Sequence, residues 1–163
     1  MRYLLDSNAF IQAKSHCYRM SVFPGFWDWI DLNFKSGSIG SIAEVYKEIA
    51  NGNDELVPWA KDRSEFFISN NDKTTQASVA EIAEYLFSGN FNAKSRDNFL
   101  AKADPWLIAK ARTLGAAVVT HESRVTPEAK QVKIPNICKQ FEVRCLNMFD
   151  LLQEMEATFI LSP

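Results

Sequence analysis

Asp104-Pro105-Trp106-Leu107-Ile108-Ala109-Lys110-Ala111-Arg112-Thr113-Leu114-Gly115-Ala116-Ala117-Val118-Val119-Thr120 decides the architecture. Asp104 has the form of an N-cap acid and Pro105 that of a first helical residue, where proline's fixed φ is suitable and its missing N–H is not needed. The helix reaches Leu114 and Gly115 closes it. Ala116–Thr120 then reads as a central strand, short and apolar without alternation. A helix feeding directly into a strand buried on both faces predicts an α/β fold with a mainly parallel sheet covered by helices.

The flanking sequence repeats this alternation. Arg2–Asp6 reads as a first strand, with Ser7-Asn8 able to cap the stretch from Ala9 to about Lys14. Pro24 opens a helix whose Phe26, Trp27, Ile30 and Phe34 recur at helical spacing, and Lys35-Ser36-Gly37 ends it. These aromatics are expected to be core, not a platform for stacking bases. Ser38-Ile39-Gly40 is a weak second strand. Ser41-Ile42-Ala43-Glu44 matches a capping box for a helix to Ala50, stopped by Asn51-Gly52. Asp54 caps a short helix, and Phe66-Phe67-Ile68 is either a strand or a turn packed on the core. Thr75 to about Phe87 is a long amphipathic helix with Val79, Ile82, Ala83 and Leu86 on one face. Gly89–Ala103 is polar without clear periodicity and is expected to be a loop. A loop around Arg124–Lys133, a helix over Pro135–Phe141, a strand over Val143–Leu146, a helix over Met148–Met155 and a tail over Thr158–Pro163 complete the chain. No repeat or linker interrupts it, so residues 1–163 are expected to form one domain.

Three cysteines, Cys17, Cys138 and Cys145, show no C-x-x-C spacing, which argues against a disulfide framework or a zinc finger. The opening Met1-Arg2-Tyr3-Leu4-Leu5-Asp6 meets charge too early for a signal peptide, and no segment has membrane-spanning length. A cytoplasmic location without membrane contact is expected. The formal charge of −2 makes no case for nucleic acid by itself. Between Lys102 and Arg144, however, basic residues outnumber acidic ones, and a basic rim would suit a phosphodiester. Each of these lysines and arginines also fits a solvated face.

Four acids fall where such a sheet gathers its ligands. Asp6 ends the first strand, Glu122 follows the central one, and Glu44 and Asp104 open helices. In an open α/β sheet these positions converge on the crevice beyond the strands' carboxyl ends. Carboxylates crowded there repel one another and stay ionised beside a cation. A set of oxygen donors selects a hard ion, Mg²⁺ or Mn²⁺. Each acid also has a plainer reading: Asp6 and Asp104 as helix caps, Glu44 as part of a capping box, Glu122 as a loop residue. Glu48, one turn beyond Glu44 on the same face, is the alternative second acid. Glu44 is preferred because a first-turn anion is favoured by the helix dipole and lies nearer the crevice. His16 and His121 lack metal-ligand spacing, and the glycines form no phosphate-cradling loop.

Taken in order, Leu4-Leu5-Asp6-Ser7-Asn8, Ser41-x-x-Glu44-Val45, Asp104-Pro105-x-Leu107-Ile108-Ala109-x-Ala111 and Val118-Val119-Thr120-x-Glu122 resemble the successive motifs of PIN domains, which include the VapC-type toxins. Asn53-Asp54-Glu55-Leu56-x-x-Trp59-Ala60 and Lys133-Ile134-Pro135-x-x-Cys138 resemble a prokaryotic branch of that superfamily. The resemblance runs from Met1 to about Met155. It implies a three-layer α/β/α sandwich with a parallel sheet of about four or five strands, and an acidic Mg²⁺ or Mn²⁺ pocket that hydrolyses RNA. Asp6, Glu44, Asp104 and Glu122 would then be the catalytic, metal-binding carboxylates, and Ser7, Asn8 and Thr120 the polar residues that orient them. Lys94, Arg96 and Lys102 are candidate contacts to the RNA backbone.

Two departures stand out: the fourth acid is usually an aspartate, and Val45-x-x-Glu48-Ile49 also matches the second motif. The partners implied are RNA and a cognate antitoxin protein, and the aromatic content around Phe23–Trp29 permits a homodimer. The alternative function is a PIN-like module that binds RNA or protein without turnover. A phosphohydrolase with Asp6 as nucleophile ranks lower, because Asn8 stands where a second aspartate is wanted.

Overall fold

The computed structural model describes residues 1–160. Strands β1 (Tyr3–Leu5), β2 (Ile39–Ile42), β3 (Phe67–Ile68), β4 (Ala117–Val119) and β5 (Cys145–Leu146) form one sheet in the order β3-β2-β1-β4-β5. Every pairing is parallel, with Tyr3 opposite Ile39 on one side and Ala117 on the other, and Val119 opposite Leu146. β1, β2 and β4 are buried along their whole length. Helices therefore cover both faces, as their unbroken apolar runs require.

Nine α-helices are described: α1 (Ser7–Gln12), α2 (Pro24–Lys35), α3 (Ala43–Ala50), α4 (Leu56–Lys61), α5 (Lys73–Ser88), α6 (Ala93–Leu100), α7 (Asp104–Leu114), α8 (Ile134–Gln140) and α9 (Met148–Glu154). α7 lies along β1, β2 and β4 and packs on α5, α6 and α8. α2 meets β2, and α3 packs with α1 and α4. The chain crosses the sheet in one direction from β1 to β3 and in the other from β3 to β4, so crossovers of the usual right hand place the two groups on opposite faces. Phe26, Trp27, Ile30 and Phe34 of α2 are buried, and Phe10, Phe34, Trp59 and Phe67 form a cluster of tilted rings. The aromatic run is core, as its spacing predicted.

Several local expectations are corrected. Gly89–Ala103 is not all loop: Asn92 caps α6, its Oδ1 accepting from the Ser95 N–H at 3.0 Å. Of α6's residues only Phe99 is buried, so it carries no apolar stripe to read. The capping box at Ser41 does not form. Ser41 belongs to β2, where its Oγ donates to the Leu5 carbonyl at 2.6 Å, and α3 begins after Ile42. Ser7 and Asn8 are the first residues of α1 rather than its caps, and Asp104 is the first residue of α7 rather than its N-cap. Phe67-Ile68 is a strand beside β2. Of the expected tail, residues 161–163 lie outside the described part.

Gly115 closes α7 at φ 64°, in the left-handed region that glycine adopts without a Cβ penalty. No atom lies within 4 Å of a Cβ built there, so Gly115→Ala tests backbone strain alone. It is expected to lower stability by about 1 kcal/mol, or roughly 2–4 °C in melting temperature. An unchanged melting curve would refute this account of the α7 terminus.

Candidate acidic site at the topological switch point

The chain turns from β1 towards β2 and β3, then returns across the sheet to β4 and β5. The switch between β1 and β4 opens the crevice where ligands of open α/β sheets bind. Asp6 leaves β1 at this point with its N–H still held by the Val119 carbonyl at 2.9 Å. Its carboxylate, 3% exposed, accepts from Thr120 Oγ1 at 2.9 Å. The same hydroxyl accepts from the Glu122 N–H at 3.2 Å, so Thr120 ties the end of β1 to the turn after β4.

Glu48, on α3, reaches the opposite rim. Its Oε2 accepts from Ser7 Oγ at 2.6 Å and its Oε1 from the Ala103 N–H at 2.9 Å, just ahead of Asp104. Glu48 thereby fixes both the first turn of α1 and the start of α7. Glu122 is anchored likewise: its oxygens accept from the Ile134 N–H at 2.9 Å and from Lys133 Nζ at 3.3 Å. Asp104 makes no side-chain hydrogen bond among the described residues. It faces a cleft of about 180 Å³ shared with Asn98, Lys102, Glu122 and Lys133.

Crowding shows in the ionisation of the two aspartates. Burial pushes Asp6 up to about 6, opposed by the Thr120 hydrogen bond and reinforced by the charges of Glu122 and Glu48. Burial and then the charges of Asp6, Glu122 and Glu48 push Asp104 up to about 8, with Lys102 opposing. Asp6 loses its proton first, and its charge helps to hold the proton on Asp104.

Of the residues singled out from sequence, Asp6, Asp104, Glu122, Ser7 and Thr120 meet here. Glu44 does not. It lies in the first turn of α3 and accepts from Asn70 Nδ2, next to β3, while Glu48 one turn on takes the place beside Ser7. Glu44 does stand in the first turn, as expected, but its carboxylate is held by Asn70 rather than by the groups around Asp6. Asn8 is half-buried in α1 without a side-chain hydrogen bond among the described residues. Arg96 is engaged by Asp97 and lies over the Phe87 ring, Lys94 borders an adjoining hollow, and Lys102 lines the cleft. The sequence reading missed Lys133 as the cation on Glu122. It also missed Asn98, which lay inside the presumed loop.

Phe23–Trp29 is only partly surface. Phe26 and Trp27 are buried, whereas Val22 and Phe23 are exposed and border an apolar hollow of about 450 Å³ with Phe159 and Ile160. Lys110, Arg112 and Arg144 of the basic stretch pair with Asp72, Glu81 and Glu154, which removes them from the expected rim.

The model of the DUF4411 family, a domain of unknown function, matches residues 3–159, and the chain belongs to that family. No curated protein matches it. Among solved structures, the VapBC2 complex of Rickettsia felis bound to a DNA fragment from its promoter contains a chain that superimposes with a TM-score of 0.53 and 14% identity. The alignment covers 90% of this chain and 98% of that one. This likeness shows a shared fold: α/β, with a five-stranded parallel sheet flanked by helices, consistent with a PIN-like fold.

Proposed function

We propose that the protein is a metal-dependent endoribonuclease that hydrolyses RNA phosphodiester bonds as the toxin of a toxin–antitoxin pair. The observation that carries this reading is the gathering of Asp6, Asp104, Glu122 and Glu48 at the switch point, where burial and neighbouring carboxylates raise the proton affinity of both aspartates. The carboxylates gathered here offer oxygen ligands, which suit Mg²⁺ or Mn²⁺. Asp6 and Asp104 would hold the ion, and a bound divalent ion would supply an activated water and neutralise charge on the leaving oxygen. Glu48 acts by holding Ser7 and the Ala103 N–H in register, Thr120 by orienting Asp6, and Glu122 by fixing the entry to α8. The structural likeness to a chain of a VapBC complex supports both the nuclease reading and a protein partner. The apolar hollow at Val22 and Phe23 supports a protein partner or a second copy. No helix among the described residues is long and apolar enough to cross a membrane.

One observation favours a second reading, a PIN-like module that binds RNA or protein without cleaving. Among the described residues no three His, Cys, Asp or Glu side chains already form a ligating set. Glu48 and Glu122 are each committed to backbone N–H groups. The test is cleavage of varied RNAs by the purified protein in Mn²⁺ and in EDTA. Cleavage in Mn²⁺ alone supports the enzyme, and binding without cleavage favours the module.

Glu48 and Glu44 offer a paired control. Glu48→Gln loses a charged acceptor from Ser7 and the α7 start, so activity should fall about 10–100-fold, the usual cost of disturbing groups that orient ligands. Glu44→Gln should change activity less than about threefold, because its partner is Asn70. Equal losses in steady-state cleavage would sink this assignment.

A further inference from the structure

The cleft beside Asp104 does not end there. It shares Ser95 and Asn98 with a second hollow of about 370 Å³, bordered by Asn92, Lys94 and Gln131. That hollow in turn shares Gln131 with a third, of about 380 Å³, which reaches Tyr85, Phe91 and Lys130. The three follow the seam between α6 and the segment 121–133. The seam is built: the Asn92 N–H donates to the Lys130 carbonyl at 2.8 Å, and the Val132 N–H to Ser95 Oγ at 2.9 Å. Asn136 pins the segment again, accepting from the Val125 N–H at 3.0 Å and donating to its carbonyl at 2.8 Å.

We propose that this seam is a track for single-stranded RNA, along which the strand leaves the carboxylates and passes over α6. The strand's identity rests on the nuclease reading; the path rests on the groove. Lys94, Lys102 and Lys130 stand along it without an ion pair among the described residues, while Arg96 is held by Asp97. Hydroxyl and amide groups of Ser95, Asn98 and Gln131 fill the intervals, a lining suited to phosphate and ribose rather than to an apolar peptide face. At the far end Phe91 and Tyr85 meet edge to face at 5.6 Å and offer a surface on which a base can rest. α6 spans about 12 Å at 1.5 Å per residue, so the track holds a few nucleotides, not a long duplex. Contacts of this kind grip the backbone and do not read sequence, so the track should be tolerant of the bases it carries.

The test is binding of short, labelled, single-stranded RNA of mixed sequence in Ca²⁺, titrated over a range of salt. The triple variant Lys94→Ala, Lys102→Ala, Lys130→Asn removes three cations; Asn is used at 130 because it tolerates the φ of 53° there. Affinity should fall about tenfold or more, and the slope of log affinity against log salt should shrink by about 2, near 0.7 per lost phosphate contact. In cleavage assays the double variant at Lys94 and Lys130 should raise KM for all RNAs alike and leave kcat in place. A triple variant with the wild-type slope and affinity overturns the track. So does a wild type that binds no single strand, which would leave the groove to an acidic protein segment. If the wild type binds with the expected salt slope yet never cleaves in Mn²⁺, the track stands and the nuclease reading fails. If it cleaves and KM is unmoved in the double variant, the reverse holds.

Discussion

Asp104→Asn is expected to stabilise the metal-free protein at pH 8, raising its melting temperature by roughly 4–8 °C or more. In the unfolded chain an aspartate gives up its proton near the usual carboxylate value of about 4. In the folded protein Asp104 holds its proton up to about 8. Between those values the folded state binds more protons than the unfolded one, so stability falls as pH rises through the window and stays low above it. Below about pH 4 both states are protonated and the penalty vanishes. Asn has no proton to lose, so the variant should lack most of this slope. A gain of only about 2 kcal/mol gives the stated shift in a chain of this length. Asp6, raised to about 6, adds a smaller slope of the same sign that the variant keeps. Thermal melts in EDTA across this pH range check the claim. A wild-type melting temperature that does not fall with pH, or a variant less stable than wild type at pH 8, would refute the crowded pocket. Mn²⁺ should raise the wild-type melting temperature at pH 8 and leave that of the variant almost unmoved.

Asp6→Asn is the larger test of chemistry. An amide oxygen can still accept from Thr120 Oγ1, so the hydrogen bond across β1 and β4 should survive and the fold with it. The charge facing Asp104 is lost. Cleavage in Mn²⁺ should fall by more than the roughly 10–100-fold typical of outer-shell losses. RNA binding should stay close to wild type, because the lysines on the α6 seam are untouched. If the wild type, freed of any co-purified antitoxin, binds varied RNAs and leaves all of them intact in Mn²⁺, the binding-module reading becomes the better one.

How much of this was legible in the chain depended on burial. Strands β1 and β4 and helices α2, α5 and α7 bury apolar side chains, and their order was readable from periodicity and from Gly115. α6 was not, because Phe99 is its one fully buried side chain and its N-terminus is marked only by Asn92. The acids Asp6 and Asp104 were readable from position alone, one at a strand end and one at a helix start. The choice between Glu44 and Glu48 was not, since it turns on long-range hydrogen bonds, Glu48 to Ser7 and Ala103 and Glu44 to Asn70. Ser41 looked like a cap because capping boxes are local patterns, yet its hydroxyl is committed to the Leu5 carbonyl of a neighbouring strand. The link from Glu122 to the Ile134 N–H was equally hidden, because no local spacing announces that a loop acid will close the end of a helix eleven or more positions later.

The hydrogen bonds that shape the pocket join residues far apart in the chain: Thr120 to Asp6, Ala103 to Glu48, Ile134 to Glu122. A chain emerging from the ribosome therefore displays Asp6 long before it holds anything that can orient it. A break anywhere between β1 and α8 separates one side of the pocket from the other. Prematurely terminated products would carry acids but no site, and a single proteolytic nick that releases either half would disarm the whole. Whatever this pocket does, it belongs to the finished molecule alone.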